Sequence, residues 1–243
     1  MIHTTYIEID SRNLTSGTLS NAIYSLPNYQ RINNVKSWGI SEVSFWNSFY
    51  NISSGLGNQV LSTSKGNITI PEGYYTTDTL CAKVVILLNL LGASVFSCSL
   101  DQLTKKIIIG CDSNFTISYT NSTCNKILGL PGSGTSSSSM SYTGTYMVNL
   151  QPVDFVNIRS ALLVPSTHSI GINNSTSNVI EVIPITALFG SLINVKNVDK
   201  HHYVTYHHPQ SFSNIDLQFT LHNGTFVDFG NTSYRITLEV NYL

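Results

Sequence analysis

Charge is what this chain has least of. Twelve Lys and Arg with thirteen Asp and Glu make up 10% of 243 residues, and the formal net charge is −1. An average soluble domain carries about 25% charged residues. No run of Lys or Arg occurs. Neutralising phosphates takes several clustered cations, so no specific nucleic-acid partner is expected. Asn, Ser and Thr fill the deficit, which makes the surface polar yet mostly uncharged. Such a surface repels copies of itself only weakly, which suits a protein that packs against itself. The base composition of an AT-rich genome would also enrich Asn, Ile, Tyr and Lys, and composition alone leaves both readings standing.

Long apolar runs are missing too. The best candidate, Leu80–Leu91, carries Lys83 and Asn89 and falls short of the roughly 18–20 residues of a membrane helix. No membrane span is expected. The opening Met1-Ile2-His3-Thr4-Thr5-Tyr6 lacks the basic and apolar regions of a secretory signal, so a reducing compartment is expected. The four cysteines, Cys81, Cys98, Cys111 and Cys124, form no CxxC pair and read as buried free thiols. Nine Asn-x-Ser/Thr sequons, at Asn13, Asn51, Asn67, Asn114, Asn121, Asn173, Asn174, Asn223 and Asn231, then reflect composition rather than glycosylation.

Catalytic patterns are equally scarce. There is no Gly-x-Ser-x-Gly elbow. Gly132-Ser133-Gly134 lies in a Ser-rich stretch without a phosphate-binding Lys. The paired histidines His201-His202 and His207-His208 invite a metal reading, with Asp199 nearby. Adjacent residues on a strand point to opposite faces, so surface or interface histidines are expected instead. The expectation is a protein that is not an enzyme, with no catalytic, cofactor-binding or metal-binding residues and no cofactor.

What the chain has is β periodicity. Val35–Ile52 is rich in aromatic and β-branched residues. Trp38 and Ile40 share one face, while Val43 and Phe45 fall on the other unless a bulge near Ser41-Glu42 reconciles them. Trp46 is read as a core residue. Short strands are predicted at Asn58–Ser62, Asn67–Ile70 and Phe115–Tyr119, with a hairpin of Val95–Leu100 and Lys105–Cys111. The segment Val156–Val164 reads as a central strand and Val179–Ile185 as a similar one. A short strand is predicted at His202–Tyr206. Ile215, Leu217, Phe219 and Leu221 alternate with polar residues before the turn pair Asn223-Gly224. Tyr234, Ile236, Leu238, Val240 and Tyr242 alternate again to the end.

One helix interrupts this series. Thr76-Thr77-Asp78-Thr79 supplies N-cap chemistry. Leu80, Val84, Leu87 and Leu91 form a stripe that Cys81, Val85 and Leu88 widen, which predicts burial over more than half the circumference. Asn125–Leu130 reads as one helical turn. Residues 131–145, the only low-complexity segment, read as a mobile loop. The fold class expected is mainly β: a single jelly-roll β-sandwich with one inserted helix-plus-hairpin element. Residues 1–33 read as an N-terminal arm or edge strand. Residues 34–243 read as one jelly roll, with a possible insertion lobe within 53–146.

Several of these pieces fall in a familiar order. They are Asn34-Val35-Lys36-Ser37, Phe49-Tyr50-Asn51-Ile52, Ile68-Thr69-Ile70-Pro71-Glu72-Gly73-Tyr74-Tyr75-Thr76 before the helix, Lys105-Lys106-Ile107-Ile108-Ile109, Ile127-Leu128-Gly129-Leu130, Val182-Ile183-Pro184-Ile185 and a closing Ile215–Leu243 hairpin. From about Asn34 to Leu243 the chain resembles the penton (vertex) minor capsid proteins of virophages and Polinton-like elements. The resemblance implies a single jelly roll whose homopentamers fill the five-fold vertices of an icosahedral virion. Adjacent major capsid protein capsomers would be its partners, with assembly in the host cytoplasm or a virus factory. A β-sandwich carbohydrate-binding or host-attachment module is the alternative, with Trp46 or Tyr142 as sugar-stacking candidates.

Overall fold

The structure is a computed structural model and describes residues 1–26, 31–92, 94–151, 153–163, 178–196 and 203–243. In chain order the strands are β1 (His3–Asp10), β2 (Ser16–Thr18), β3 (Asn21–Ser25), β4 (Ile32–Trp46), β5 (Val60–Thr63) and β6 (Gly66–Thr69). The helix α1 (Thr77–Asn89) follows, then β7 (Phe96–Leu100), β8 (Ile107–Phe115), α2 (Asn125–Leu128) and β9 (Ser139–Thr143). The remaining strands are β10 (Phe155–Arg159), β11 (Val179–Pro184), β12 (Leu192–Lys196), β13 (Val204–Phe212), β14 (Asn214–Thr220) and β15 (Tyr234–Tyr242). They form two compact units, residues 1–49 with 153–243, and residues 50–152.

The first unit is a jelly-roll β-sandwich of two five-stranded antiparallel sheets. One runs β1-β15-β4-β12, with β13 also on β4; the other runs β11-β10-β14-β3-β2. Strand β4 has 15 residues, long enough for two partners on one edge. Strand β12 pairs with its Glu42–Trp46 half and β13 with its Ile32–Trp38 half. The register on β15 steps between Ile40↔Leu238 and Glu42↔Thr237, which leaves Ser41 as an extra residue. That bulge turns Trp38, Ile40, Val43 and Phe45 all inward, each at most 3% exposed.

Two expectations change in this unit. The alternating segments β14 and β15 do not form a hairpin, because β14 pairs with β3 and β10 while β15 pairs with β1 and β4. The Asn223-Gly224 turn does form, closed by Gly224 N–H to the Leu221 carbonyl at 3.0 Å. Its return is a single bridge, Thr220↔Phe226, after which the chain crosses to the other sheet. Strand β13 also runs further than expected, through Phe212.

Aromatic rings and hydroxyls join the sheets. Phe219 of β14 lies 4.5 Å from Tyr234 of β15. The hydroxyls of Tyr24 on β3 and Tyr234 share a buried 2.7 Å hydrogen bond. Burial dominates the raised pKa of both phenols. Trp38 Nε1 donates to Tyr206 Oη at 3.0 Å, and Tyr206 in turn donates to the Leu163 carbonyl. The buried Asp216 side chain accepts from Ser160 Oγ and from the Ala161 and Leu162 amides, so both of its oxygens have donors.

The second unit folds around its own core of Ile52, Leu61, Ile70, Leu80, Val84, Leu88, Ile107, Ile109, Ile117 and Leu128. It holds the β5-β6 hairpin and a three-stranded β7-β8-β9 sheet. Thr76 caps α1 in a capping box with Thr79. The buried stripe of α1 is narrower than the sequence suggests. Leu80, Cys81, Val84 and Leu88 are buried, while Ile86 is 53% and Leu91 36% exposed. The Ser-rich segment is not a free loop. Ser139–Thr143 pairs with β8, Ser136 Oγ accepts from the Ile117 amide at 2.9 Å, and Tyr142 packs 5.9 Å from Tyr119. Serine hydroxyls replace the backbone partners an edge strand would lack.

Asn51 ties this unit together. Its Nδ2 donates to the Tyr75 carbonyl at 2.7 Å and to the Leu150 carbonyl at 3.2 Å, and its Oδ1 accepts from the Tyr75 amide at 2.9 Å. It is 2% exposed, so its sequon is closed to glycosylation in the folded chain. Asn51→Ala strands buried backbone groups and is expected to cost about 2–3 kcal/mol. Urea unfolding of this unit, followed by proteolysis between residues 50 and 150, measures it. A midpoint equal to that of the parent protein would refute the clamp.

Candidate assembly surface

The outer face of the β1-β15-β4-β12 sheet gathers a large share of the charge in this charge-poor chain. Period two places Glu8 and Asp10 on β1, Arg235, Thr237 and Glu239 on β15, Glu42 and Ser44 on β4, and Asn194 and Lys196 on β12 toward this side. Arg12 Nε donates to Asp10 Oδ1 at 2.9 Å, Arg235 Nε reaches Asp10 Oδ2 at 3.4 Å, and Lys196 Nζ lies 3.5 Å from Glu42 Oε1. Glu8, Asp10, Asn13, Glu42, Ser44, Asn194 and Arg235 line a groove of about 490 Å³. Charges here are paired rather than massed, which gives orientation and register more than raw attraction.

Glu239 is 5% exposed on this face. The hydroxyl of Tyr203 hydrogen-bonds it, and burial foremost raises the Tyr203 pKa. The Tyr203 ring lies over Gly39, where an added Cβ would come within 2.7 Å of it. At one corner Trp46 faces Leu192 across β4 and β12. Trp46 is 45% and Leu192 50% exposed. The expectation of a core Trp46 is therefore corrected: the bulge at Ser41 sets Val43 and Phe45 inward and leaves Trp46 on the outer side.

Asp10 makes this face sensitive to acid. The hydrogen bond from the Arg12 side chain, foremost, holds its carboxyl well below the usual aspartate range. A depressed folded pKa gives stability that is complete above the unfolded value, near about 4, and lost as pH falls below it. Acidification from pH 5 to pH 2 is expected to loosen the Asp10 end of β1, read as faster amide exchange at Ile9–Asn13. Asp10→Asn should remove that pH dependence; an unchanged acid profile in the variant would refute the assignment.

The other candidate residues stay apart. His207 and His208 are exposed neighbours on β13, and Tyr142 is half-buried against Tyr119. His201, His202, Asp199, Asn173 and Asn174 lie outside the described residues. Among the described residues, no three His, Cys, Asp or Glu side chains converge as metal ligands. No helix there is long and apolar enough to cross a membrane. Sequence reading missed the charged face because Asp10, Glu42, Lys196 and Arg235 are distant in the chain. The available signal was the alternation of charge with apolar residues in β1 and β15.

No family model matches the chain, and no curated protein does. Solved structures do. The crystal structure of the selenomethionine-labelled mavirus penton protein is 10% identical, with 98% of this chain and 99% of that chain covered and a TM-score of 0.55. A chain of the Sputnik virophage structure solved by electron cryomicroscopy is 12% identical, with 98% and 97% covered and a TM-score of 0.49. At such identities the likeness to the mavirus penton protein is one of fold, and it runs along nearly the whole of both chains.

Proposed function

We propose that this chain is a structural minor capsid protein whose homopentamers form the pentons at the five-fold vertices of an icosahedral virion. The observation that carries the reading is the nearly complete fold likeness to the mavirus penton protein. In this reading the jelly-roll unit meets its neighbours and adjacent major capsid protein capsomers, and residues 50–152 are an insertion lobe of that jelly roll. The physics supports it. A ring of five closes by head-to-tail contacts between different patches. The paired charges around Asp10 and Glu42 give such a contact its register, and the Trp46–Leu192 corner gives it an apolar anchor.

Negative-stain electron microscopy with mass photometry tests this. Five-fold rings, with masses at five times the 26.7 kDa chain, are the expected result. A strict monomer that binds glycans on an array would overturn it in favour of a carbohydrate-binding or host-attachment module. Trp46→Glu is expected to weaken ring formation at least about tenfold, because it buries an unpaired charge, while the monomer keeps its far-ultraviolet circular dichroism. Rings of undiminished stability would remove Trp46 from the contact.

A further inference from the structure

Sheet edges are open templates for association unless something blunts them. Among the described residues, the two sheets of the jelly roll end on β1, on β12 with β13, on β11 and on β2. Most of these edges are blunted. Strand β2 has three residues. Strand β11 ends on Pro184, and its register on β10 breaks. Strand β13 contains Pro209, and its register on β4 breaks twice. Strand β1 differs: its eight residues pair with β15 in unbroken register and include neither Pro nor Lys. Strand β12 also pairs with β4 without a break and lacks Pro. These two edges lie on opposite sides of the same sheet. Every pairing between them is antiparallel, so β1 and β12 run in opposite directions. The register also sets residues in rows. Glu8, Thr237, Glu42 and Lys196 stand directly opposite one another, and Asp10, Arg235, Ser44 and Asn194 form the next row on the same face. One row therefore ends in an exposed acid at the β1 edge and in a cation, its side chain 65% exposed, at the β12 edge.

We propose that β12 of one copy pairs antiparallel with β1 of the next, so that this sheet continues from copy to copy around the pentamer. The seam presupposes the penton reading and supplies its contact. Head-to-tail closure joins two different patches, and these two edges are such patches. Because β1 and β12 run oppositely, rotation about an axis parallel to the strands lays them antiparallel, with their outer faces on one side. That rotation keeps each residue at its own height, so every row meets itself. Lys196 then faces Glu8 of the next copy, and Asn194 faces Asp10 of the next copy. Lys196, already 3.5 Å from Glu42 in its own chain, bridges the two carboxylates. On the inner side Val195 meets the buried Ile9, which joins the apolar layer of one copy to that of the next. Main-chain hydrogen bonds along the seam give affinity, and the charged row gives register. Charge also selects the partner edge. Two copies of β1 side by side would bring acids together with no Lys or Arg on either strand.

The test is zero-length carbodiimide crosslinking of the full chain, mixed from light and heavy isotope preparations, with mass photometry beside it. Peptide mapping is expected to find Glu8 of one chain joined to Lys196 of another. Glu8→Lys and Lys196→Glu should each weaken ring assembly at least about tenfold, because every seam then sets like charges opposite one another. The double variant Glu8→Lys with Lys196→Glu should recover assembly to within about threefold of the parent. Glu8→Lys leaves the Lys196–Glu42 pair within each copy intact, so it reads the seam even where Lys196→Glu loosens β12. Far-ultraviolet circular dichroism checks that each variant is folded. Rings of parent strength in Glu8→Lys, or intact rings without a Glu8–Lys196 crosslink between chains, would overturn the seam and leave the penton reading in place. A strict monomer of the parent chain would overturn both.

Discussion

Phe229→Ala is expected to lower the stability of the jelly-roll unit by about 4 kcal/mol. Phe229 sits where the chain crosses from β14 to β15 and is 2% exposed. Its ring lies 5.1 Å from Phe219, 5.2 Å from Tyr234, 5.9 Å from Phe45 and 6.3 Å from Phe49. Those rings come from both sheets, so one truncation opens a cavity and removes four aromatic contacts together. A loss of that size is a large part of the roughly 5–15 kcal/mol that holds a domain folded. Phe226, three residues earlier, is 48% exposed, and Phe226→Ala should cost less than about 1 kcal/mol. Urea unfolding followed by near-ultraviolet circular dichroism compares the two. Equal effects would mean that the aromatic cluster does not hold the sheets together. Where Phe229→Ala unfolds the unit, the pentamers proposed above should be lost with it, since the charged face exists only while β1, β15, β4 and β12 are paired.

Local signals in the sequence were read well wherever one stretch of chain carries its own answer. The Thr76 cap, the bulge at Ser41 and the Asn223-Gly224 turn are set by residues within a few positions of one another. Pairing between distant strands is not written locally. Segments β14 and β15 each alternate as hairpin strands do, and nothing in that alternation says that Phe229 will carry the chain to another sheet. The Ser-rich segment misled because polarity and small size describe a loop and an edge strand alike. Its order comes from Ile117 and Tyr119, which lie well before it. Trp46 misled for the converse reason: one extra residue at Ser41 decides which face it takes. The charged face was illegible for want of register, since Asp10 meets Arg235 only through the β1–β15 ladder.

Gly129→Ala is expected to destabilise the second unit by at least about 3 kcal/mol. Gly129 ends α2 in the left-handed region, at φ 68°. A side chain there costs about 1–2 kcal/mol from backbone sterics alone. Space is the larger problem, because an added Cβ would stand 2.1 Å from the Tyr146 carbonyl oxygen and 3.0 Å from that of Met147. Those are backbone atoms and cannot rotate aside. The segment that would have to retreat is held by the Tyr146 amide to the Gly129 carbonyl at 2.9 Å and the Asn149 amide to the Ile127 carbonyl at 3.1 Å. Relief of the clash therefore breaks the bonds that anchor residues 144–149 over α2 and exposes Ile127 and Leu128. Gly132→Ala is the control, since no atom lies within 4 Å of its added Cβ, and it should stay within about 0.5 kcal/mol. Hydrogen exchange locates the damage. Amides of Ile107–Phe115 should lose protection in Gly129→Ala while those of Tyr234–Tyr242 keep theirs, because the two strands belong to units with separate cores. Equal loss in both strands would mean that residues 50–152 do not fold as a unit of their own.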